Sequence, residues 1–184
     1  MDKAENIILG IDPGTNMMGF GVVQGGGKNP GFIDMGVFDY RKEGDHYKKI
    51  NAIFKSTIRL IENYAPHELA IEAPFYGKNI QSMLKLGRAQ GAAISAALLK
   101  DLPVYEYAPR KIKLAITGVG QASKEQVASM LARMFVIKEM PANLDASDGL
   151  AVAVCHFYEK NSPVKKHGHN NWEGFIRKNP GRIK

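Results

Sequence analysis

Asn6-Ile7-Ile8-Leu9-Gly10-Ile11-Asp12-Pro13-Gly14-Thr15 is the stretch on which the fold turns. A short, almost wholly apolar run that ends in a carboxylate suits a strand buried in the middle of a sheet, and Pro13-Gly14 is a favoured pair for the centre of a type II turn. Met18 to Val23 forms a second run, the triplet Gly25-Gly26-Gly27 a turn, and Gly31 to Tyr40 a third run, so the first forty residues predict an antiparallel three-stranded meander. Between His46 and Tyr64 the residues Ile50, Ile53, Phe54, Ile58 and Ile61 recur at three- and four-residue steps, the pattern of an amphipathic helix. Leu69 to Glu72 reads as another short strand ending in a carboxylate. A long helix follows over about 78–100, then a strand over Pro103 to Tyr107, a basic helix opened by Pro109, and helices over about 124–136 and 145–159. The order βββ-α-β-α-β-α-α predicts an α/β fold: a mixed five-stranded sheet, meander first and parallel strands after it, with helices on both faces.

The chain has 184 residues, 25 Lys+Arg against 18 Asp+Glu, and one cysteine. That length supports one compact domain, read here as residues 1–159, with a Gly- and Pro-punctuated basic tail over 160–184. A single cysteine excludes an internal disulfide and paired-cysteine zinc clusters. Met1-Asp2-Lys3-Ala4-Glu5 is acidic where a signal peptide is basic, and the longest apolar stretch, Ala89 to Leu99, is well short of the ~18–20 residues of a membrane span. A cytoplasmic protein with no membrane partner is expected. The net charge of +7 is unevenly spread: residues 76–113 carry 7 basic and 2 acidic side chains and residues 160–184 carry 7 and 1. Two positive blocks suggest a polyanion as partner.

Against that background four carboxylates stand out. Asp12 and Glu72 each close an apolar strand, at the sheet edge where open α/β folds bind ligands. A lone acid there is ordinarily a solvated loop residue, but two on neighbouring strands are harder to dismiss. Asp145-Ala146-Ser147-Asp148 places two more on one helical face, although Asp145 as N-cap and Asp148 as an N3 carboxylate would explain the pair equally well. If all four converge, a hard oxygen-seeking divalent cation is the natural compensation, and a pair of such ions is suited to phosphodiester cleavage.

Ile8-Leu9-Gly10-Ile11-Asp12-Pro13-Gly14-Thr15, Ile71-Glu72 with Phe75 and Lys78-Asn79 beyond it, Leu84 to Gly91, and Asp145 to Ala151 together resemble, in order and spacing, the RuvC family of bacterial Holliday-junction resolvases. The likeness covers about residues 6–158. It implies a ribonuclease H-like fold and a homodimeric, Mg²⁺-dependent crossover junction endodeoxyribonuclease with two ions per site, Mn²⁺ being an acceptable substitute. It also implies symmetric nicking of four-way junction DNA and partnership with the RuvA–RuvB branch-migration complex. Carried over by position, it makes Asp12, Glu72, Asp145 and Asp148 the catalytic metal ligands, Phe75 a base-stacking aromatic, and Lys113 and Lys124 DNA contacts. Tyr76, Lys78, Lys85, Arg88 and Lys111 are further candidates in the positive block. Pro74, so soon after Glu72, departs from the family's pattern and stiffens the loop carrying Phe75.

Gly87, Gly91 and Ser95 recur at four-residue steps on the long helix among several alanines, a surface that allows close helix packing, either against its own sheet or across a dimer. Three rival readings remain at this stage. Gly10 to Thr15 also resembles the first phosphate loop of actin- and Hsp70-like ATPases, which need two lobes. A non-catalytic junction binder and a nuclease acting on RNA–DNA hybrids are the others. Cys155 and His156 are expected to be core or boundary residues.

Overall fold

The computed structural model describes residues 6–74, 79–138, 141 and 143–162. Strands β1 (Asn6–Asp12), β2 (Met17–Gly25) and β3 (Gly31–Asp39) form the expected meander, followed by helix α1 (His46–Tyr64), β4 (Glu68–Glu72), α2 (Ile80–Leu99), β5 (Val104–Tyr107), α3 (Pro109–Thr117), α4 (Lys124–Phe135) and α5 (Asp145–Asn161). The sheet order is β3-β2-β1-β4-β5. β2 pairs antiparallel with β1 and β3, while β4 runs parallel to β1 and to β5. The parallel pairs require crossovers, which α1 and α2 supply.

Strand alternation assigns the two faces. Leu9 and Ile11 of β1 and Leu69 and Ile71 of β4 point to one side, where they are buried with Ile53 and Leu60 of α1 and Ala89, Ala93 and Ala97 of α2. Ile8 and Ala70 point to the other, against α3, α4 and the central α5. Each Ile or Leu removed from water here contributes roughly 1.5–3 kcal/mol. The alanines of α2 thus pack on their own layer. Methyls added at Gly87 and Gly91 meet nothing within 4 Å, and Ser95 is exposed.

α5 lies closer to the sheet than a side chain would allow. A methyl at Gly10 would overlap the Gly149 carbonyl and the Ala153 amide, one at Gly19 the Asp145 carbonyl, one at Gly21 the Leu150 backbone, and one at Gly149 the Phe20 backbone. Glycine is required at this seam because backbone meets backbone. At the far end of the sheet α5 is tied down by polar groups: buried His156 lies 3.0 Å from Glu68 and 2.7 Å from the Tyr107 hydroxyl, and Lys160 donates to Glu68 at 2.8 Å. Burial would raise the Glu68 carboxyl, but hydrogen bonds from Lys160, His156 and Asn6 outweigh it and hold the group at about 2. Cys155 is fully buried, as expected.

Because the atoms facing Gly21 are backbone, Gly21→Ala is expected to cost about 2–3 kcal/mol or more, read as a lower urea midpoint at unchanged slope. Gly36→Ala should cost less, since the atoms nearest its methyl are side-chain atoms of the Phe20 ring edge.

Candidate active site

Asp12 and Glu72 end adjacent parallel strands. Ile11 is in register with Ile71, so the two carboxyls stand side by side at the same sheet edge. Counting by twos from Ile8 and Ala70 sends both onto the α5 face. Buried Gln90 of α2 donates its amide to the Glu72 carbonyl at 3.2 Å, fixing the end of β4 from the opposite layer.

The seam delivers the other pair. α5 begins at Asp145, its N-cap is Leu144 with no side-chain cap, and Asn143 Oδ1 accepts from the Asp145 amide at 3.0 Å. Neither acid is therefore consumed as a side-chain N-cap. One carboxylate oxygen from each of Asp12, Asp145 and Asp148 lies within 4.8 Å of the others. This all-oxygen, anionic donor set has the chemistry that suits a hard divalent cation.

Like charges at this spacing resist ionisation. Burial first, then the neighbouring Asp12 and Asp148, raise Glu72 to about 8, against the opposing pull of Lys124 and Lys113. Burial and Asp148 raise Asp12 to about 6, with Lys124 again opposing. Burial also raises Asp148. Lys124 supplies the local cation: its Nζ sits 2.5 Å from Asp148 and 3.2 Å from Asp145. A capping box between Ser123 and Gln126 starts α4 at this lysine, and so aims it. Burial opposes its charge, yet the hydrogen bonds and charges of Asp148 and Asp145 keep it firmly protonated.

A cavity of about 530 Å³ opens over Asp12, Glu72 and Asp148, with Arg110, Lys113 and Lys124 on its α3–α4 wall. Lys113 thus reaches the site, whereas Lys111, two residues earlier, pairs with Glu159 at 2.7 Å and lies over the Tyr107 ring. Lys85 lines a separate cavity bordered by Asp145. Arg88 is exposed on α2. Phe75, Tyr76 and Lys78 lie outside the described residues. Two contributors were missed in the sequence: Arg110, one step before Lys111 in the same basic helix, and Gln90, whose burial inside a helix among alanines was the available signal.

The architecture is ribonuclease H-like, and a carboxylate cluster under cationic walls at the carboxyl ends of its strands is the equipment of a metal-dependent nuclease. The comparisons make this specific. A family model described as "Crossover junction endodeoxyribonuclease RuvC" matches residues 8–156, and the chain belongs to that family. The protein of that name from Bacteroides fragilis is 59% identical over 182 residues, covering 98% of this chain and 97% of its relative. The one from Porphyromonas gingivalis is 49% identical, with both chains fully covered. The solved Thermus thermophilus RuvC in complex with Holliday junction substrate aligns with a TM-score of 0.77 at 30% identity, over 85% of this chain and 96% of that one. Family membership brings divalent-metal use with it, and leaves the actin-like ATPase reading without support.

The raised Asp12 and Glu72 fix the sign of a pH effect. Their folded values of about 6 and about 8 exceed the ~4 of an unfolded carboxyl, so the stability they contribute is complete below pH ~4 and lost as pH rises through 6 and 8. In EDTA the melting temperature should therefore fall between pH 5 and pH 8.5. Glu72→Gln should flatten that fall, and added Mg²⁺ should raise the melting temperature more at pH 8.5 than at pH 5.

Proposed function

We propose that this chain resolves Holliday junctions in recombination and repair, nicking two opposed strands of a four-way junction and leaving 5′-phosphate and 3′-hydroxyl ends that a ligase can rejoin. The observation that carries the reading is the meeting of Asp12, Asp145 and Asp148 within 4.8 Å at family positions, beside Glu72 and beneath Arg110 and Lys113. These four carboxylates would hold two divalent ions, with Mg²⁺ as the physiological metal and Mn²⁺ as a substitute. Ions held by these residues would supply charge neutralisation of the phosphodiester and a more acidic water for in-line attack. The protein's part is to orient them through the seam, to hold the strand electrostatically with Lys113 and Arg110, and to keep the acidic floor charged in the presence of metal. Lys124 keeps the cluster assembled through its pairing with Asp145 and Asp148, and contacts DNA from the same position.

Asp12→Asn should reduce cleavage of a labelled junction to background while preserving or tightening junction binding, because one negative charge facing the phosphate is removed. Cutting at the parent rate would overturn the assignment. Duplex and RNA–DNA hybrid, run alongside in Mg²⁺, should remain intact.

Symmetric cutting calls for a homodimer, two sites related by a two-fold axis matched to that of the junction. The open face of α2 is where we place the interface: Gly87, Gly91 and Ser95, with exposed Leu84 and Leu98 on the same helix. Residues 1–159 form the nuclease domain in this reading, and 160–184 a tail adding sequence-independent attraction to DNA. A cytoplasmic enzyme working with RuvA–RuvB completes it. Gly91→Arg should fold normally, sediment as a monomer at micromolar concentration and convert paired nicks into single ones. A variant that stayed dimeric and still cut in pairs would place the interface elsewhere.

A further inference from the structure

The carboxylates have a second cavity on their other flank. It is about 680 Å³ in volume, shares Asp145 with the catalytic cluster, and is walled by the Gly14–Met17 loop, the start of α1 and the first half of α2. Its polar groups come from three separate elements. Lys49 of α1 donates to the neutral Asn16 Oδ1 at 2.6 Å and has no carboxylate partner among the described residues. Lys85 contributes a second ammonium from α2. His46, also on the cavity wall, has its Nε2 buried without a hydrogen-bond partner among the described residues, an arrangement that costs free energy. The first turn of α1 carries no acidic residue, so its positive end is offset only by the capping Asp45.

We propose that this cavity is a second phosphate-binding subsite, which takes the sugar–phosphate backbone of the cut strand on the side opposite the Arg110/Lys113 wall, with Lys49 and Lys85 as its cationic contacts. The inference rests on the nuclease reading above and extends it. A strand laid across Asp12 and Asp145 must leave the cluster on both sides, and the α3–α4 wall can hold only one of them. The walls that receive it are cationic, while the shared floor is acidic and needs metal. A neutral ligand would leave two ammonium groups unused, so an anion is the better occupant, and beside a nuclease's carboxylate cluster that anion is the phosphate backbone of the strand being cut. Contacts of this kind position the strand without reading its bases.

The test uses the full chain in EDTA, so that binding is measured without cutting. Junction affinity is titrated against salt for the parent, Lys49→Met, Lys49→Arg, and Lys55→Met as an exposed lysine elsewhere on α1. Loss of one phosphate contact should lower the log–log salt slope by about 0.9 in Lys49→Met, and leave it unchanged in Lys49→Arg and Lys55→Met. Asn16→Ala removes the loop hydrogen bond while keeping the charge, and should retain the parent slope, separating charge from loop structure. Single methylphosphonates are then placed along the cut strand. One position flanking the cut should weaken binding by the parent and have no further effect on Lys49→Met. An unchanged slope in Lys49→Met, with equal methylphosphonate penalties in both proteins at every position, would overturn the subsite. If the parent cut RNA–DNA hybrid and spared junctions, the resolvase reading would fall, and the subsite would still be decided by the same titration on hybrid.

Discussion

Backbone-to-backbone packing of α5 on β1 and β2 is the constraint on which the rest of the molecule depends. Gly10, Gly19, Gly21 and Gly149 let the helix settle where any side chain would hold it off, and the start of α5 is thereby brought over the end of β1. A helix resting on side chains has rotamer freedom beneath it; one resting on carbonyls and amides does not. Asp145 and Asp148 are consequently positioned against Asp12 by the rigid part of the fold. The network of Glu68, His156, Tyr107 and Lys160 fastens the same helix at its other end, so both its height and its slide along the sheet are fixed.

That rigidity is used against electrostatic preference. Left alone, the four carboxylates would separate or protonate, and the acids are indeed pushed upward: Asp12 by burial and the charges of Asp148 and Asp145, Glu72 by burial and the charges of Asp12 and Asp148. Lys124 offsets part of the repulsion from within, bridging Asp145 and Asp148 without neutralising the floor. The site is thus poised between two states of charge. Filled with divalent cations it would attract a phosphodiester; bare, its acids leave that attraction to the cationic walls. A fold with slack at the α5 seam would relax this tension by moving the acids apart, and the metal affinity would go with it.

Much of this was legible in the sequence, for identifiable reasons. Asp12 and Glu72 are readable because each interrupts an apolar strand at its end, and period-two alternation then dictates a shared face. α1 is readable from its apolar period. Asp145 and Asp148 were ambiguous, since an i, i+3 acidic pair at a helix start serves capping as well as coordination. The structure removes one of the two explanations for Asp145, by making Leu144 the N-cap and Asn143 the partner of the Asp145 amide. The seam glycines were opaque: a glycine inside a strand signals close approach but not by what, and the approaching helix comes at the other end of the chain. Lys111 and Lys113 share one basic run, and only the buried pair Ile112 and Ile116 distinguishes the side facing the site from the side facing Glu159. The cavity of Lys49 and His46 had no sequence signal, because loop, helix start and α2 meet only in three dimensions.

The positive block over residues 76–113 shows how much meaning folding adds to a count. Along the chain it is one run of charge. In the structure the sheet divides it: Lys85 and Arg88 arrive with α2 on the α1 face, while Arg110 and Lys113 arrive with α3 on the α5 face. The edge where β1 and β4 end lies between them, and it carries the acids. Lys85 shares one cavity with Asp145, and Arg110 and Lys113 share another with Asp12, so each cationic group borders the acidic edge from its own layer. Net charge predicts only that such a chain attracts nucleic acid; its division by the sheet sets positive groups on both sides of the acidic edge.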